Sequence, residues 1–467
     1  MTSLENILDN IRQNIEKTST LSNSCIQLNN FALNSTNRIK IRTSGGLDLL
    51  VEVLKKHLQR SVGLCETVVG ALNNCSLDEE NTIHLCEKTT LLDELILLCQ
   101  THPNETLLLS RSIGLFWNIG AVKSNAVKIA QKGGVKVLLS ILKDNASHVE
   151  IQSRGLAALT ALATSDQVSH HIVTENGHLQ ILSAMERHPE NAQIKLRGIN
   201  TLFNLAALQQ NLKPLGSSRA IEVVKTVLEN NLSEKNLVSR CSGFFMNLSL
   251  IAENSLRIAQ EGVISSIMRA ILYYSADEAI IRRLLGIVIN TSQEPSNKVT
   301  IAQSRGLDVI VVLIRQHISS PGTLIKCISV LISLSLDESL QNIFVKSQAV
   351  NAVLLAIKTH IKDPALLSSS IVLLSNLFFF DTTRVDIVEK NGVKLVMELL
   401  KNNISKEAVV EKGTLFLLNG TCDTKARKII NEEQGKRVCQ SIINMYKRNP
   451  QIQKRASGAL KNLSIGY

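Results

Sequence analysis

Leu196 to Ala206 reads LRGINTLFNLA, and the same pattern of residue types returns along the chain in steps of 43 residues. The related stretches are SRGLAALTALA at 153–163, SRCSGFFMNLS at 239–249, RRLLGIVINTS at 282–292 and KRASGALKNLS at 454–464. Self-similarity with a period of about 40 to 47 residues is typical of stacked helical repeats. The sequence therefore predicts an all-α repeat protein.

One position near the end of the repeated stretch sets the register of the array. Its slots are spaced by 43 or 44 residues and hold Asn30, Asn74, Asn118, Ala161, Asn204, Asn247, Asn290, Ser333, Asn376, Asn419 and Asn462. Two positions earlier the residue is always large and apolar, from Leu28 to Leu460. Because two helical positions lie about 200° apart around the axis, we expect a buried face and an Asn face pointing away from it.

A column of cations precedes the Asn column by seven residues. It holds Arg111, Arg154, Arg197, Arg240, Arg283 and Lys326 in consecutive repeats and, after Ser369, Lys412 and Arg455. Seven residues are nearly two helical turns, so the cations share the Asn face. The slot four before the Asn is mostly small: Gly70, Gly114, Ala157, Gly243, Gly286, Ser329 and Gly458. We expect an open floor flanked by Asn and cation ladders.

Each repeat has three predicted helices. A short polar helix is followed by a glycine turn, an apolar helix, a loop that often contains proline, and the Asn-bearing helix. The turn glycines are Gly45, Gly46, Gly133, Gly134, Gly177, Gly262, Gly306, Gly392 and Gly435, and we assign them to the tight turn. Residues 1–36 are predicted to form an incomplete capping repeat, and residues 37–467 about ten full repeats of a single solenoid domain.

This pattern resembles the armadillo repeat family over nearly the whole chain. The resemblance implies a right-handed α-solenoid with three helices per repeat, whose third helices line a concave peptide-binding groove. By the same resemblance Asn204, Asn247 and Asn290 would hold the backbone of an extended peptide. The implied groove residues are Arg111, Asn118, Arg154, Arg197, Asn204, Arg240, Asn247, Arg283, Asn290 and Lys326. Ala161 and Ser333 depart from the pattern and would not clamp a peptide in this way.

The cation column bears on the subfamily. Importin-alpha carries Trp four positions before the Asn and has an acidic groove, whereas this chain has Gly, Ala or Ser in most of those slots and its one tryptophan at Trp117. A basic groove is more similar to that of beta-catenin, whose cations meet acidic residues of extended partners. Guanidinium groups pair with carboxylates in a bidentate fork. The alternatives are that the Asn side chains bond the next helix and that the cations are solvated or paired with neighbouring acids.

Composition limits the remaining possibilities. The formal charge of +11 favours an acidic partner, whether protein, nucleic acid or membrane surface, and the excess is interpreted as diffuse. Nine scattered cysteines without a metal spacing predict reduced core thiols. With no signal peptide or spanning segment, we expect a cytoplasmic protein, or one in the nucleus, the cilium or the cytoskeleton, with no membrane insertion. His170 and His171 lack a third ligand, and no cofactor or metal is expected.

No catalytic constellation emerges from the sequence, so we expect a non-catalytic scaffold that binds extended, acidic protein segments. The first alternative is that the same Arg column binds RNA or another polyanion. The second is that the other face docks a folded partner, such as a small GTPase or a cytoskeletal or ciliary filament. Phe378, Phe379 and Phe380 offer either an exposed anchor or packing against the next repeat, and packing is favoured.

Overall fold

A computed structural model describes residues 3–465, which form 32 α-helices and one 3₁₀ helix and contain no strand. The first helices are α3 (Ser35–Thr43), α6 (Glu79–Lys88), α9 (Lys123–Gln131), α12 (Asp166–Thr174), α15 (Gln209–Ser217), α18 (Ala252–Gln260), α21 (Pro295–Gln303), α24 (Gln341–Lys346, after the 3₁₀ helix Glu338–Leu340), α27 (Asp381–Glu389) and α30 (Thr424–Glu432). The second helices are α1 (Leu4–Gln13), α4 (Gly46–His57), α7 (Leu91–Thr101), α10 (Gly134–Asp144), α13 (Gly177–Arg187), α16 (Ala220–Asn230), α19 (Val263–Tyr273), α22 (Gly306–Gln316), α25 (Ala349–Thr359), α28 (Gly392–Asn402) and α31 (Gly435–Met445). The third helices are α2 (Thr18–Phe31), α5 (Val62–Cys75), α8 (Thr106–Gly120), α11 (Val149–Leu162), α14 (Ala192–Leu205), α17 (Lys235–Leu248), α20 (Glu278–Thr291), α23 (Pro321–Ser335), α26 (Pro364–Leu377), α29 (Glu407–Gly420) and α32 (Pro450–Ser464).

The helices fall into two compact units, one ending at Leu248 and the other beginning at Ser249. In the first unit the third helices α2, α5, α8, α11, α14 and α17 each contact the next. In the second unit α20, α23, α26, α29 and α32 do the same. The third helices therefore form one layer within each unit. The single solenoid domain over residues 37–467, with residues 1–36 as its cap, stays a prediction.

The apolar column two residues before the Asn slot forms the core of each unit. The ten members in the third helices α2 to α29 are fully buried: Leu28, Leu72, Phe116, Leu159, Leu202, Phe245, Val288, Leu331, Leu374 and Leu417. Leu460, in α32, is only partly buried. The helical period inferred from the sequence thus places the buried face correctly, and the Asn face lies on the other side of the same helices.

The glycine turn between first and second helices has two positions with different requirements. At the first position φ is positive in eight of the ten turns described. The residue is glycine at Gly45, Gly133 and Gly262 and larger in the other five, as at Arg305 with φ 59°. Thr90 and Arg219 have negative φ instead.

The second position is glycine in six repeats, where the backbone packs closely against an isoleucine of the first helix, but it carries a side chain in others, as at Val263 and Ala349. A Cβ on Gly134 would lie 2.5 Å from Ile129 Cγ2 and 3.0 Å from Ile129 O. The tight turn therefore explains only the first position, and close packing explains the second.

A polar residue near the start of most first helices, buried in all of them except the partly buried Asn37, ties successive repeats together. Asn81 Nδ2 donates to Cys75 O at the end of the preceding third helix (3.0 Å) and to Arg38 O in the preceding first helix (3.2 Å). The same contact to a carbonyl six residues earlier is made by Asn37, Asn211, Asn297, Gln341 and Thr383. Asn125 is equally buried but has no partner within residues 3–465. We call these residues the first-helix ladder.

Histidines at the end of second helices make a related contact. The Nε2 atoms of His57, His102, His188, His317 and His360 lie 2.6 to 2.8 Å from backbone carbonyl oxygens of the preceding repeat. A carbonyl only accepts, so each ring must carry its proton on Nε2. These histidines are structural links between repeats.

Of the helices described, none is on its own both long and apolar enough to cross a membrane. Only the bent pair Glu338–Lys346 and Ala349–Thr359 has sufficient length and apolar composition, and only when its two parts are taken together.

The cysteines differ sharply in exposure, which gives a testable labelling pattern. Seven are buried, Cys86 is half-buried and Cys422 is exposed. Burial raises the pKa of Cys25, Cys75, Cys99 and Cys327 to about 12 and that of Cys65 and Cys439 to about 11. Because the thiolate is the nucleophile, we expect a chromogenic disulfide reagent to label Cys422 rapidly in the native chain. All nine thiols should react in denaturant. Persistence of the rapid phase in Cys422→Ser would contradict this assignment.

Candidate functional site

The candidate site is the exposed side of the third helices in each unit, which we call the third-helix face. In the first unit it carries Arg111, Asn118, Arg154, Arg197, Asn204, Arg240 and Asn247, and in the second unit Arg283, Asn290 and Lys326. None of these side chains is fully buried. Their periodic placement follows from the helical period, because residues seven apart lie on one side of a helix.

Six Asn side chains of this column bond the preceding repeat. Asn118 Nδ2 donates to Asn73 Oδ1 (2.9 Å) and Ser76 Oγ (3.0 Å), and Asn204 Nδ2 donates to Thr160 O (3.3 Å). Asn74, Asn290, Asn376 and Asn462 also donate Nδ2 to residues of the preceding repeat. At these six positions the Asn side chains therefore bond between repeats, as the alternative interpretation expects. Within residues 3–465 the carboxamide oxygens of Asn118 and Asn204 accept no hydrogen bond, so they can still accept one from a ligand.

The cations of the first unit are held in place mainly by neutral groups. Arg111 Nη1 donates to Glu66 O at 2.7 Å. Arg197 Nη1 donates to Ser153 O at 2.8 Å and to Ser153 Oγ at 2.9 Å. Among the described residues, Arg154 is the one first-unit cation of this column that pairs with an acid, Glu150, at 3.0 Å. A backbone carbonyl orients a guanidinium without cancelling its charge, so Arg111 and Arg197 are ordered and remain positive.

Two aromatic rings lie beside this cation column. The Arg197 guanidinium carbon is 5.3 Å from the centre of the Trp117 ring, and that of Arg240 is 5.1 Å from the Phe203 ring. Trp117 belongs to α8 and Arg197 to α14, so this pair spans α11, whose Asn slot holds Ala161. Trp117 is 38% exposed. Cation–π contacts of this kind restrict the guanidinium while leaving its edge free to donate hydrogen bonds.

Two cations of this column repel each other. Burial lowers the pKa of Arg197, and the positive charge of Arg154 in the preceding repeat lowers it further. Guanidinium stays protonated at neutral pH. An anion placed between the two groups would relieve this repulsion.

The small slot is not the open floor that the sequence suggested. A Cβ on Gly243 would lie 2.5 Å from Phe203 Cε2, and one on Gly114 would lie 2.9 Å from Asn73 Nδ2. At these two positions the slot is small because a side chain of the preceding repeat packs over the glycine. That side chain belongs to the residue just before the Asn position of its own repeat. The exposed surface is therefore formed by those larger side chains, including Phe203, and not by the glycines.

The other candidates from the sequence have structural surroundings. Phe378 is buried and its ring lies 5.1 Å from that of Phe416, as packing predicts, whereas Phe379 is 74% exposed. His170 Nδ1 lies 3.1 Å from Asn211 Oδ1 in the first-helix ladder. Across residues 3–465 there is no cluster of three or more His, Cys, Asp or Glu that could hold a metal ion.

Comparison with known proteins gives similarity in structure alone. No family model matches the chain, and no curated protein matches it significantly. The chain superposes with a TM-score of 0.75 and 12% identity, over 99% of its length and 94% of the other chain, on a structure described as "A conserved phosphorylation switch controls the interaction between cadherin and beta-catenin in vitro and in vivo". An engineered protein superposes over the full length of both chains with a TM-score of 0.60 and 17% identity.

The fold is an armadillo-type α-solenoid. A designed armadillo repeat protein also matches, with 16% identity and a TM-score of 0.47, over 53% of this chain and the whole of that one. At these identities the likeness concerns the fold, and armadillo-type solenoids do not share one function. The function must therefore be argued from the residues of the third-helix face.

Proposed function

We propose that the chain is a non-catalytic scaffold whose third-helix face binds extended, acidic segments of partner proteins. The observation that carries this proposal is the set of ordered, positive guanidinium groups of Arg111, Arg197 and Arg240, of which the first two are oriented by backbone carbonyls and the last two by aromatic rings. No acid pairs with any of the three within residues 3–465.

An extended segment suits this face for a second reason. Such a segment cannot satisfy its own backbone amides, and the free carboxamide oxygens of Asn118 and Asn204 accept N–H donors. The two ladders together would recognise backbone and acidic side chains of one ligand. A disordered partner loses entropy on binding, which many modest contacts along preformed helices offset.

The test is affinity purification with mass spectrometry, comparing wild type with Arg197→Glu/Arg240→Glu. The matched control is Lys40→Glu/Lys88→Glu, which changes the same charge at exposed lysines of first helices. We expect a small group of proteins with acidic segments to be lost only from the Arg variant. Synthetic peptides from those segments should bind the variant at least about tenfold more weakly, because reversal removes charge-assisted hydrogen bonds.

A second variant separates peptide binding from polyanion binding at the same face. Asn204→Ala/Asn247→Ala should weaken a peptide, which needs backbone contacts, and should leave binding of an RNA strand unchanged. Melting curves verify that each variant is folded. Identical partner profiles for wild type and the Arg variant would reject the third-helix face as the binding surface.

A further inference from the structure

The positive charge of the chain is concentrated in its last repeat. Residues 424–465 contain ten Lys and Arg and only two acids, Glu432 and Glu433, which gives eight of the formal excess of eleven. The remaining residues are close to neutral. The charge is therefore not diffuse, as the whole-chain composition suggested, but local to α30, α31 and α32.

Eight of the ten cations of this repeat have no side-chain partner in the part of the chain that the structure describes. These eight are exposed and form neither an ion pair nor a hydrogen bond within residues 3–465: Lys425, Lys428, Lys436, Arg437, Lys447, Arg448, Lys454 and Lys461. Glu433 pairs instead with Lys394 and Lys401 of the preceding repeat. We call these eight residues the terminal basic cluster. Unpaired like charges on one repeat repel each other, and a polyanion would remove that repulsion.

The same repeat exposes positions whose counterparts in the preceding repeat are buried. Val393, the second residue of α28, is fully buried, and the residues at the same position of the earlier second helices, from Leu47 to Val350, are buried too. In α31 this position is the exposed Lys436. Likewise the buried Met397 and Thr414 correspond to the exposed Gln440 and Ser457. This surface is suited to a charged ligand and not to apolar packing.

We propose that the terminal basic cluster binds the phosphate backbone of a duplex nucleic acid, independently of the third-helix face. Its cations lie on three helices and on the loop at Lys447 and Arg448, which suits a ligand with closely spaced charges. A duplex presents one phosphate for about every 1.7 Å of axis. Single strands are less suitable because they need exposed rings for base stacking, and the ring of Tyr446 is partly buried with its hydroxyl bonded to Ile404 O.

A membrane surface fits less well. Interfacial binding relies on bulky apolar side chains that enter the headgroup region. In this repeat the large exposed apolar side chains are Met445 and Ile465, and they lie at the ends of different helices. The cluster has charge without an apolar wedge, which favours binding to phosphates in water.

The experiment is fluorescence anisotropy of the full chain with labelled RNA and DNA duplexes of arbitrary sequence, about 20 base pairs long, between about 50 and 200 mM salt. We compare wild type with Lys436→Glu/Arg437→Glu/Lys447→Glu/Arg448→Glu. Four lost phosphate contacts should lower the slope of log affinity against log salt by about 3 to 4, and affinity should fall at least about tenfold. The variant should melt like wild type, because all four side chains are exposed.

The matched control is Lys40→Glu/Lys88→Glu/Lys123→Glu/Lys143→Glu, which makes the same change in net charge at exposed lysines of the first unit. We expect its affinity to stay within about threefold of wild type. An equal loss in both variants would show a general effect of net charge and overturn the proposal. The proposal would also be overturned if the wild-type chain bound vesicles containing anionic lipid, or a polyglutamate peptide, more tightly than the duplexes.

Discussion

Asn297→Leu should lower the free energy of unfolding by about 2 kcal/mol, since it removes two buried hydrogen bonds to carbonyl groups, each worth about 1 kcal/mol. Asn297 belongs to the first-helix ladder, is 2% exposed and donates Nδ2 to Ser255 O and Thr291 O, both at 3.0 Å. Leucine fills a similar volume, so the effect reports lost hydrogen bonds more than a cavity. Urea unfolding followed by far-UV circular dichroism measures the change.

The matched control is Asn290→Leu, on the third-helix face. Asn290 is half-buried and donates one hydrogen bond, to Ser249 Oγ at 3.0 Å. A hydrogen bond of this kind contributes only about 1 kcal/mol, so this variant should unfold close to the wild-type midpoint. If the two variants lose equal stability, the distinction between the buried ladder and the exposed ladder is wrong.

Gly306→Ala is expected to destabilise the second unit by about 2 to 3 kcal/mol, in the range of overpacked sites. A Cβ at this position would lie 2.7 Å from both Ile301 Cγ2 and Ile301 O. The Ile301 side chain can rotate away, but the carbonyl belongs to the end of α21 and moves only with that helix. The melting temperature of the variant against wild type measures the effect.

The neighbouring residue provides the opposite expectation. Arg305 has φ 59°, a conformation that is unfavourable for a residue with a Cβ. Arg305→Gly should therefore stabilise the chain, by up to about 1 kcal/mol. The exposed pair of Arg305 with Asp308 is lost but contributes little. A chain that tolerates Gly306→Ala and is weakened by Arg305→Gly would show that the two roles are assigned the wrong way round.

The fold was largely predictable because the same residue types recur in every repeat, so the fold assignment does not depend on any single residue. Leu202 and its counterparts recur at the helical period, so the buried face follows from counting. The turn was understood only in part. A glycine in a sequence does not reveal whether it is needed for positive φ, as at Gly133, or for close packing, as at Gly134.

The candidate site was less predictable, for a physical reason. Asn204 recurs with the same period whether its amide meets a ligand or Thr160 O of the preceding repeat. The contact of Trp117 with Arg197 joins helices two repeats apart and occurs at one place, so no periodic signal marks it. By contrast, the terminal basic cluster could have been found by counting charges repeat by repeat instead of over the whole chain.

The first-helix ladder also bears on how such a chain can change in length. Its donors are side chains, but most of its acceptors are main-chain oxygens, as with Cys75 O for Asn81. Every amino acid supplies that oxygen, so a repeat does not need a particular neighbour to complete the bond. Within each unit, a duplicated or deleted block of 43 residues would find equivalent acceptors at its new boundaries. The array can thus lengthen or shorten by whole repeats without matched substitutions at those main-chain contacts.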